Sequence, residues 1–434
     1  MNFIFISPQF PENYQYFCSA LKRNGVNVLG IADVPYEQLS PQLRESLTEY
    51  YRVSDLEQYE EVLKAVGFFT FKYGKIDWIE SNNEYWLEQD ARLRTDFHVT
   101  TGFQLEEMEH VKRKSKMKAC YEKAGVLTAP WHLVTTLEEG KKFLKQVGYP
   151  VIVKPDNGVG ANHTWQLQNE EMLINFYEEQ EKSEENILYI MEPFVKGEIC
   201  SYDAIINSKG EPLLETGNQT PISIMNAVNE QSDVYFYIVP KLFDDIKEAG
   251  RKCVKAFGVK SRFVHFEFFR LQEDQQGIGK KGQLVGLEVN MRPSGGYTPD
   301  MINFSMDTDV YQCWADMVAF DELRTKQGDH RYYAVYIGRR WKYQYAHNDA
   351  DVWGAYGDAI KMAAELPEVL AHGMGDYMCI ARFSKKEEMQ TFITFLLEKV
   401  EQKEEKTLFN QTAQKKVQRK KNRNNGDVPR EKKE

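Results

Sequence analysis

The chain has 434 residues, enough for a sizeable core and more than one lobe, and carries 55 Lys and Arg against 65 Asp and Glu for a formal net charge of −10. That acidic balance excludes a protein whose main task is to hold a nucleic-acid backbone, which basic surfaces do. Six cysteines, Cys18, Cys120, Cys200, Cys253, Cys313 and Cys379, lie far apart with no CxxC pair; this excludes a disulfide framework or a zinc site and points to reduced thiols in a cytoplasmic protein. No apolar run approaches the roughly 18 residues of a membrane span, and the first ten residues lack a basic start and meet Pro8, so neither a membrane segment nor an export signal is expected.

Taken in chain order, Phe3–Ile6 is a short apolar run, residues 12–24 read as a helix, and Val26–Ile31 is apolar again before Asp33. This is a βαβ opening. The first strand runs into Ser7-Pro8-Gln9-Phe10-Pro11 and not into a GxGxxG turn, which removes the main support for a dinucleotide oxidoreductase. A strand over Ile76–Glu80 enters the polar loop Ser81-Asn82-Asn83-Glu84 and then a helix through Arg94. Such a loop lies where open α/β sheets bind ligands, and it reads equally as a plain capped connection. In 105–124, Met117, Cys120, Tyr121 and Ala124 form one apolar helical stripe that Gly125 ends. Short strands and helices follow from 126 to 195, several strands from 197 to 320, and a last α/β segment with strands at 332–337 and 377–383 and a helix at 385–400. Residues 415–434 hold nine Lys/Arg against three acids, which leaves about −16 on the remaining chain. With almost no apolar residues this stretch is expected to be a disordered basic tail, a solvated end or a contact for RNA or an anionic surface.

Three segments carry candidate chemistry. Leu284–Arg292 reads as a strand closed by Pro293, with Leu287, Val289 and Met291 on one face and Glu288, Asn290 and Arg292 on the other, about 6.6 Å apart along the row. The apolar run Phe263–Phe269 has a single acid, Glu267, at its centre, and adjacent antiparallel strands would bring it near Glu288. Two acids in apolar strands repel unless a cation lies between them, and oxygen ligands suit Mg²⁺; a solvated strand face with an ion pair is the other reading. Next, Val151–Thr164 ends a short strand on Lys154 and continues through Asp156-Asn157-Gly158-Val159-Gly160-Ala161, whose glycine N–H groups could cover phosphate oxygens beside the lysine charge. A hairpin turn after an edge lysine explains it as well. Finally, an apolar strand over Ile187–Met191 leads into Glu192-Pro193-Phe194-Val195-Lys196-Gly197-Glu198, extended backbone suited to an adenine edge with a carboxylate further on for ribose, or simply a strand end and turn.

The order of these segments resembles the ATP-grasp superfamily, of the carbamoyl-phosphate-synthase-like and carboxylate–amine ligase type, over 105–320, and the opening is similar to the domain that precedes it in such proteins. The resemblance implies an α/β fold: a Rossmann-like pre-ATP-grasp domain (1–104), a two-lobed ATP-grasp domain (105–195 with the phosphate loop, 196–320 with the metal site), a small C-terminal α/β segment (330–402) and the basic tail (403–434). It implies that Lys114 and Lys154 hold ATP phosphates under a loop containing Asn157, Gly158 and Gly160. Glu192, Pro193, Phe194 and Val195 would meet adenine, Glu198 ribose, Glu267, Glu288 and Asn290 a metal, and Arg292 the reacting acyl phosphate. Lys114 is chosen by its spacing to Gly125, with Lys112 and Lys116 as neighbours in the choice. The implied cofactors are ATP and Mg²⁺, with Mn²⁺ as a substitute, and the implied reaction is ADP-forming: a carboxylate activated as an acyl phosphate and passed to an amine. The alternatives are phosphotransfer of the carbamoyl-phosphate-synthase or carboxylase kind, or a non-catalytic ATP-binding protein. Small-molecule substrates, no membrane and a homodimer complete the expectation. The identity of the carboxylate and amine is not legible.

Overall fold

A computed structural model describes residues 1–158, 163–183, 185, 187–222 and 231–400. The expected tail and Gly160 lie outside the described residues.

Four parallel strands open the chain, in the order Glu49–Arg52, Asn27–Ala32, Asn2–Ile6, Trp78–Glu80. Alternation along the first strand explains why both faces are covered: Phe3 and Phe5 pack into one core with Phe17, Leu21 and Leu43, while Ile4 and Ile6 pack into another with Val62, Phe69 and Leu93. The first of these cores also contains Trp314 from the helix Val310–Phe320, together with Ile205, Phe263 and Tyr336 of a second sheet. The opening sheet is thus joined to the rest of the molecule through apolar packing.

That second sheet has ten strands and is antiparallel except at one edge, where Leu127–Thr128 pairs in parallel with Leu284–Asn290. Next to that edge lies the run Gly197–Ile206, Arg262–Leu271, Leu284–Asn290. Strands Tyr333–Arg339, Ile360–Glu365 and Tyr377–Phe383 continue the same sheet through Val234–Ile238. Period-two alternation sorts its side chains. Cys200, Tyr202, Ala204, Val264, Phe266, Phe268 and Val289 enter one apolar core against the helices Lys114–Lys123 and Asp244–Ala256. Burying a side chain such as Phe266 is worth roughly 1.5–3 kcal/mol, so this face fixes the register. A third sheet of four antiparallel strands runs His132–Leu133, Tyr189–Pro193, Val151–Pro155, Trp165–Leu167.

Two differences from the sequence reading bear on the site. The helical pattern of 105–124 is three pieces, Leu105–Glu107, Glu109–Lys112 and Lys114–Lys123, broken at Arg113, whose ψ of 119° is extended. The strand expected to reach Arg292 ends at Asn290, and the pairing slips between Glu267 and Phe268, which leaves Leu287 half-buried and off the apolar face. A bulge inserts one residue on one strand, and that extra residue loses its place in the alternation.

Candidate active site

The break at Arg113 lets the helix Lys114–Lys123 start against the third sheet. Asp156, fully buried after the strand Val151–Pro155, accepts hydrogen bonds from the Ser115 backbone N (2.7 Å) and Oγ (3.0 Å) while its own carbonyl accepts from Lys114 N (2.8 Å). A carboxylate at a helix N-terminus satisfies donors the helix leaves open. The other end of this contact is Tyr121, whose ring lies over Gly286 and whose hydroxyl donates to Glu288 O at 2.6 Å. A Cβ on residue 286 would come within 2.5 Å of that ring, so only glycine allows the approach.

Lys114 therefore faces the middle of the molecule. Its Nζ lies 3.5 Å from Glu288 Oε2 and 3.3 Å from Gly158 O. The other two lysines weighed with it differ in burial and partners: Lys116 is exposed, and Lys112 is buried against Glu84, with Nζ at 2.9 Å from Oε1. Lys154 Nζ is 2.7 Å from Glu192 Oε2, and Lys118 pairs with Glu192 from the helix side. Burial opposes the charge on Glu192, but the two lysines outweigh it and hold the carboxyl down at about 2. Burial likewise opposes the charge on Lys154, yet Glu192, Glu288 and Glu267 together raise it. The lysine of the third sheet and the acids of the second thus belong to one electrostatic cluster.

On the second sheet, opposite the apolar core, two polar rows cross three strands. Asp203, His265 and Asn290 are register partners in one row; Ser201, Glu267 and Glu288 are partners in the next. His265 Nδ1 is 2.6 Å from Asp203 Oδ1 and Nε2 is 3.0 Å from Glu267 Oε1. Burial would lower the His265 pKa, but the two carboxylates beside it push it up to about 10. Burial also raises Glu288, an effect that Lys114 and Lys154 more than offset, so its carboxyl lies below the usual range. Arg292 Nη2 donates to Asn290 Oδ1 at 3.3 Å, Nη1 to Pro293 O at 2.7 Å, and Nε lies 3.4 Å from Glu84 Oε2. Glu84 comes from the polar loop after Trp78–Glu80, so that loop does reach the cluster.

Of the remaining residues singled out in the sequence, Asn157 is exposed and Gly158 lies beside Lys114. Pro193 and Val195 are buried, Phe194 half-buried with its N–H donating to Pro150 O at 3.0 Å, and Glu198 is exposed, accepting from Gln272 at 3.3 Å. Lys118, Ser201, Asp203 and His265 were missed, and Asp156 was read only as part of the glycine loop, not as the cap of the helix Lys114–Lys123. The His-x-Glu spacing at 265–267 and the Ser-x-Asp spacing at 201–203 are period-two polar pairs in apolar strands, the same signal that picked out Glu288 and Asn290.

Among the described residues no three His, Cys, Asp or Glu side chains gather into a self-sufficient cation site. Glu267, Glu288 and Asn290 still fit Mg²⁺, which takes one or two carboxylates and completes its shell with water and substrate phosphates. Two carboxylates in register on neighbouring strands are oxygen donors of the kind such an ion takes, with Lys114 beside Glu288 in its absence. A surface hollow of about 400 Å³ between Tyr36, Arg44 and Tyr50 shares no residue with this cluster.

Residues 113–197 match the family model of the carbamoyl-phosphate synthase L chain, ATP binding domain. The chain is similar to the alanine–anticapsin ligase of Bacillus subtilis, 25% identical over 242 residues, 50% of this chain and 49% of that relative. It therefore aligns with about half the length of that protein. Its fold is similar to the crystal structure of an L-amino acid ligase from Bacillus licheniformis (TM-score 0.66, 15% identity, 90% of this chain and 95% of that one). It is also similar to the biotin carboxylase domain of the Hydrogenobacter thermophilus 2-oxoglutarate carboxylase, solved as a dimer with magnesium ADP and bicarbonate (TM-score 0.62, 17% identity, 88% and 86%). The class defined by these sheets and matches is a multi-domain α/β ATP-grasp fold. The relatives that the chain resembles in sequence and in fold include amino-acid ligases.

Proposed function

We propose that the chain is an ADP-forming ligase that joins the carboxylate of one small molecule to the amine of another, with amino acids as the class of both. The observation that carries this reading is the convergence of Lys114, Lys154 and Arg292 on the polar face that holds Glu267, Glu288 and Asn290. A carboxylate and a triphosphate are both anionic, and a site that brings them together needs fixed cations on one side and a cation-binding acid row on the other.

In this reading Lys114 and Lys154 hold ATP phosphates, Glu192 to Val195 line the base, Glu198 meets the ribose, and Glu267, Glu288 and Asn290 hold Mg²⁺, or Mn²⁺ in its place. When bound, the ion supplies charge neutralisation at the phosphates. A carboxylate oxygen of the substrate attacks the γ-phosphorus, the bond to the β-phosphate oxygen breaks, and ADP departs. The amine nitrogen then attacks the carbonyl carbon and inorganic phosphate leaves. Arg292 orients the anionic acyl group: with single bonds to Asn290 and Pro293, Nη1 and Nη2 each keep a further N–H for a bidentate contact. Asn157 and Gly158 contribute backbone toward the phosphates, and Gly160 belongs to the same proposed loop. The chain works on soluble small molecules, as a cytoplasmic homodimer, and no helix among the described residues is long and apolar enough to cross a membrane.

The test is release of ADP and phosphate with ATP and Mg²⁺ against pooled amino acids, with and without added pooled amines. Release that requires both a carboxylate and an amine supports the ligase. Release on bicarbonate without an amine would assign carboxylase-like phosphotransfer, and ATP binding without turnover in any pool would overturn the enzymatic reading.

A further inference from the structure

We infer that His265 is a positioning residue for Glu267, held in place by a buried chain that starts outside the site. The inference rests on Glu267 being a metal ligand, as proposed above. The chain is directional. The Asn218 backbone N–H donates to Ser201 Oγ at 2.9 Å, and the Ser201 hydroxyl donates in turn to Asp203 Oδ2. Asp203, 0% exposed, presents its other oxygen to His265 Nδ1 at 2.6 Å. That bond fixes the plane of the imidazole and aims Nε2 at Glu267 Oε1, 3.0 Å away.

The groups come from three neighbouring strands, Asn218–Thr220, Gly197–Ile206 and Arg262–Leu271. A short Asp–His bond with the serine behind it leaves the ring one orientation. Glu267 needs such a support. On its own strand it is flanked by the buried Phe266 and Phe268, across the sheet it faces the like charge of Glu288, and the pairing slips immediately after it. Without a donor on Oε1 its carboxylate is free to rotate away from Glu288, and the pair would not share an ion. Asp203 and Ser201 touch neither nucleotide nor ion in this arrangement; they act through His265.

The experiment is titration calorimetry of ADP into the full chain at increasing Mg²⁺ and without it, on wild type, His265→Asn, His265→Gln and Asp203→Asn, with thermal melts to establish folding. Asparagine keeps a donor at the Nδ1 position and cannot reach Glu267; glutamine carries its amide nitrogen near the Nε2 position. The expected result for His265→Asn is a roughly 10- to 100-fold higher Mg²⁺ requirement for tight ADP binding, the range found for groups that orient metal ligands. Its Mg²⁺-free ADP affinity stays unchanged. His265→Gln stays nearer wild type, and Asp203→Asn moves in the same direction as His265→Asn. A folded His265→Asn with the wild-type Mg²⁺ dependence overturns the inference, as does an equal loss with and without Mg²⁺. If His265→Asn does not fold, Asp203→Asn decides by the same criterion, and a His265→Gln that loses the Mg²⁺ dependence as far as Asp203→Asn also overturns the inference. A wild type whose ADP binding ignores Mg²⁺ overturns the metal reading itself, and the inference falls with it.

Discussion

Arg292 is held at three nitrogens and Glu192 by two lysines, and each arrangement carries its own consequence. Replacing Arg292 by alanine should lower turnover roughly 100- to 1,000-fold, the size of effect seen when one preorganised donor to a developing anion is lost. The KM for ATP should move far less, which steady-state kinetics would check. Glu192→Gln should cost about 3 kcal/mol at neutral pH, because two buried lysines lose their counter-charge. The sign of its pH dependence follows from linkage: a carboxyl held at about 2 in the fold against an ordinary 4.5 gives stability that is present above pH 4.5 and fades as pH falls toward 2. Urea melts should therefore show a shallower acid decline in the variant than in wild type. At this scale the sequence revealed what alternation exposes. Glu288, Asn290 and Arg292 stood out because polar side chains alternated with Val289 and Met291, whereas His265 was hidden in an aromatic run and Asp203 was followed only by apolar residues on its strand. Lys118 was hidden because spacing alone does not tell which lysine of a basic helix turns inward.

Elements were read better in kind than in their ends. The opening βαβ unit, the Gly125 stop and the antiparallel pairing of Glu267 with Glu288 are present, since each follows from local periodicity or a terminal residue. The break at Arg113 was not legible, because nothing in Lys112-Arg113-Lys114 opposes a helix. It is set from outside, by Asp156 drawing in Lys114 N and Ser115. Gly286 carries the other side of that helix. Gly286→Val should destabilise the chain by about 1–3 kcal/mol through overpacking against Tyr121. By displacing the helix that bears Lys114 it should also raise the KM for ATP. Chemical denaturation and nucleotide titration of the same sample measure both.

Across the whole molecule, the opening sheet meets the large one through a buried ionic knot. Glu80 Oε2 lies 2.8 Å from Arg262 Nη2 and 3.4 Å from Arg94 Nη1, all three almost fully buried. Glu80→Gln would strip two buried arginines of the carboxylate they share and should cost about 3–5 kcal/mol. If the knot couples the two sheets, urea unfolding of the variant should split into two transitions where wild type shows one. No such long-range pairing can be inferred from a single sequence, since residues 80 and 262 are related only by the fold. The helix Lys114–Lys123 has a similar span, gripping the third sheet through Asp156 and Glu192 and the second through Tyr121. Mechanically it is a fulcrum. A rotation of the third sheet about it would move Lys154, which lies on that sheet, more than Lys114, which starts the helix.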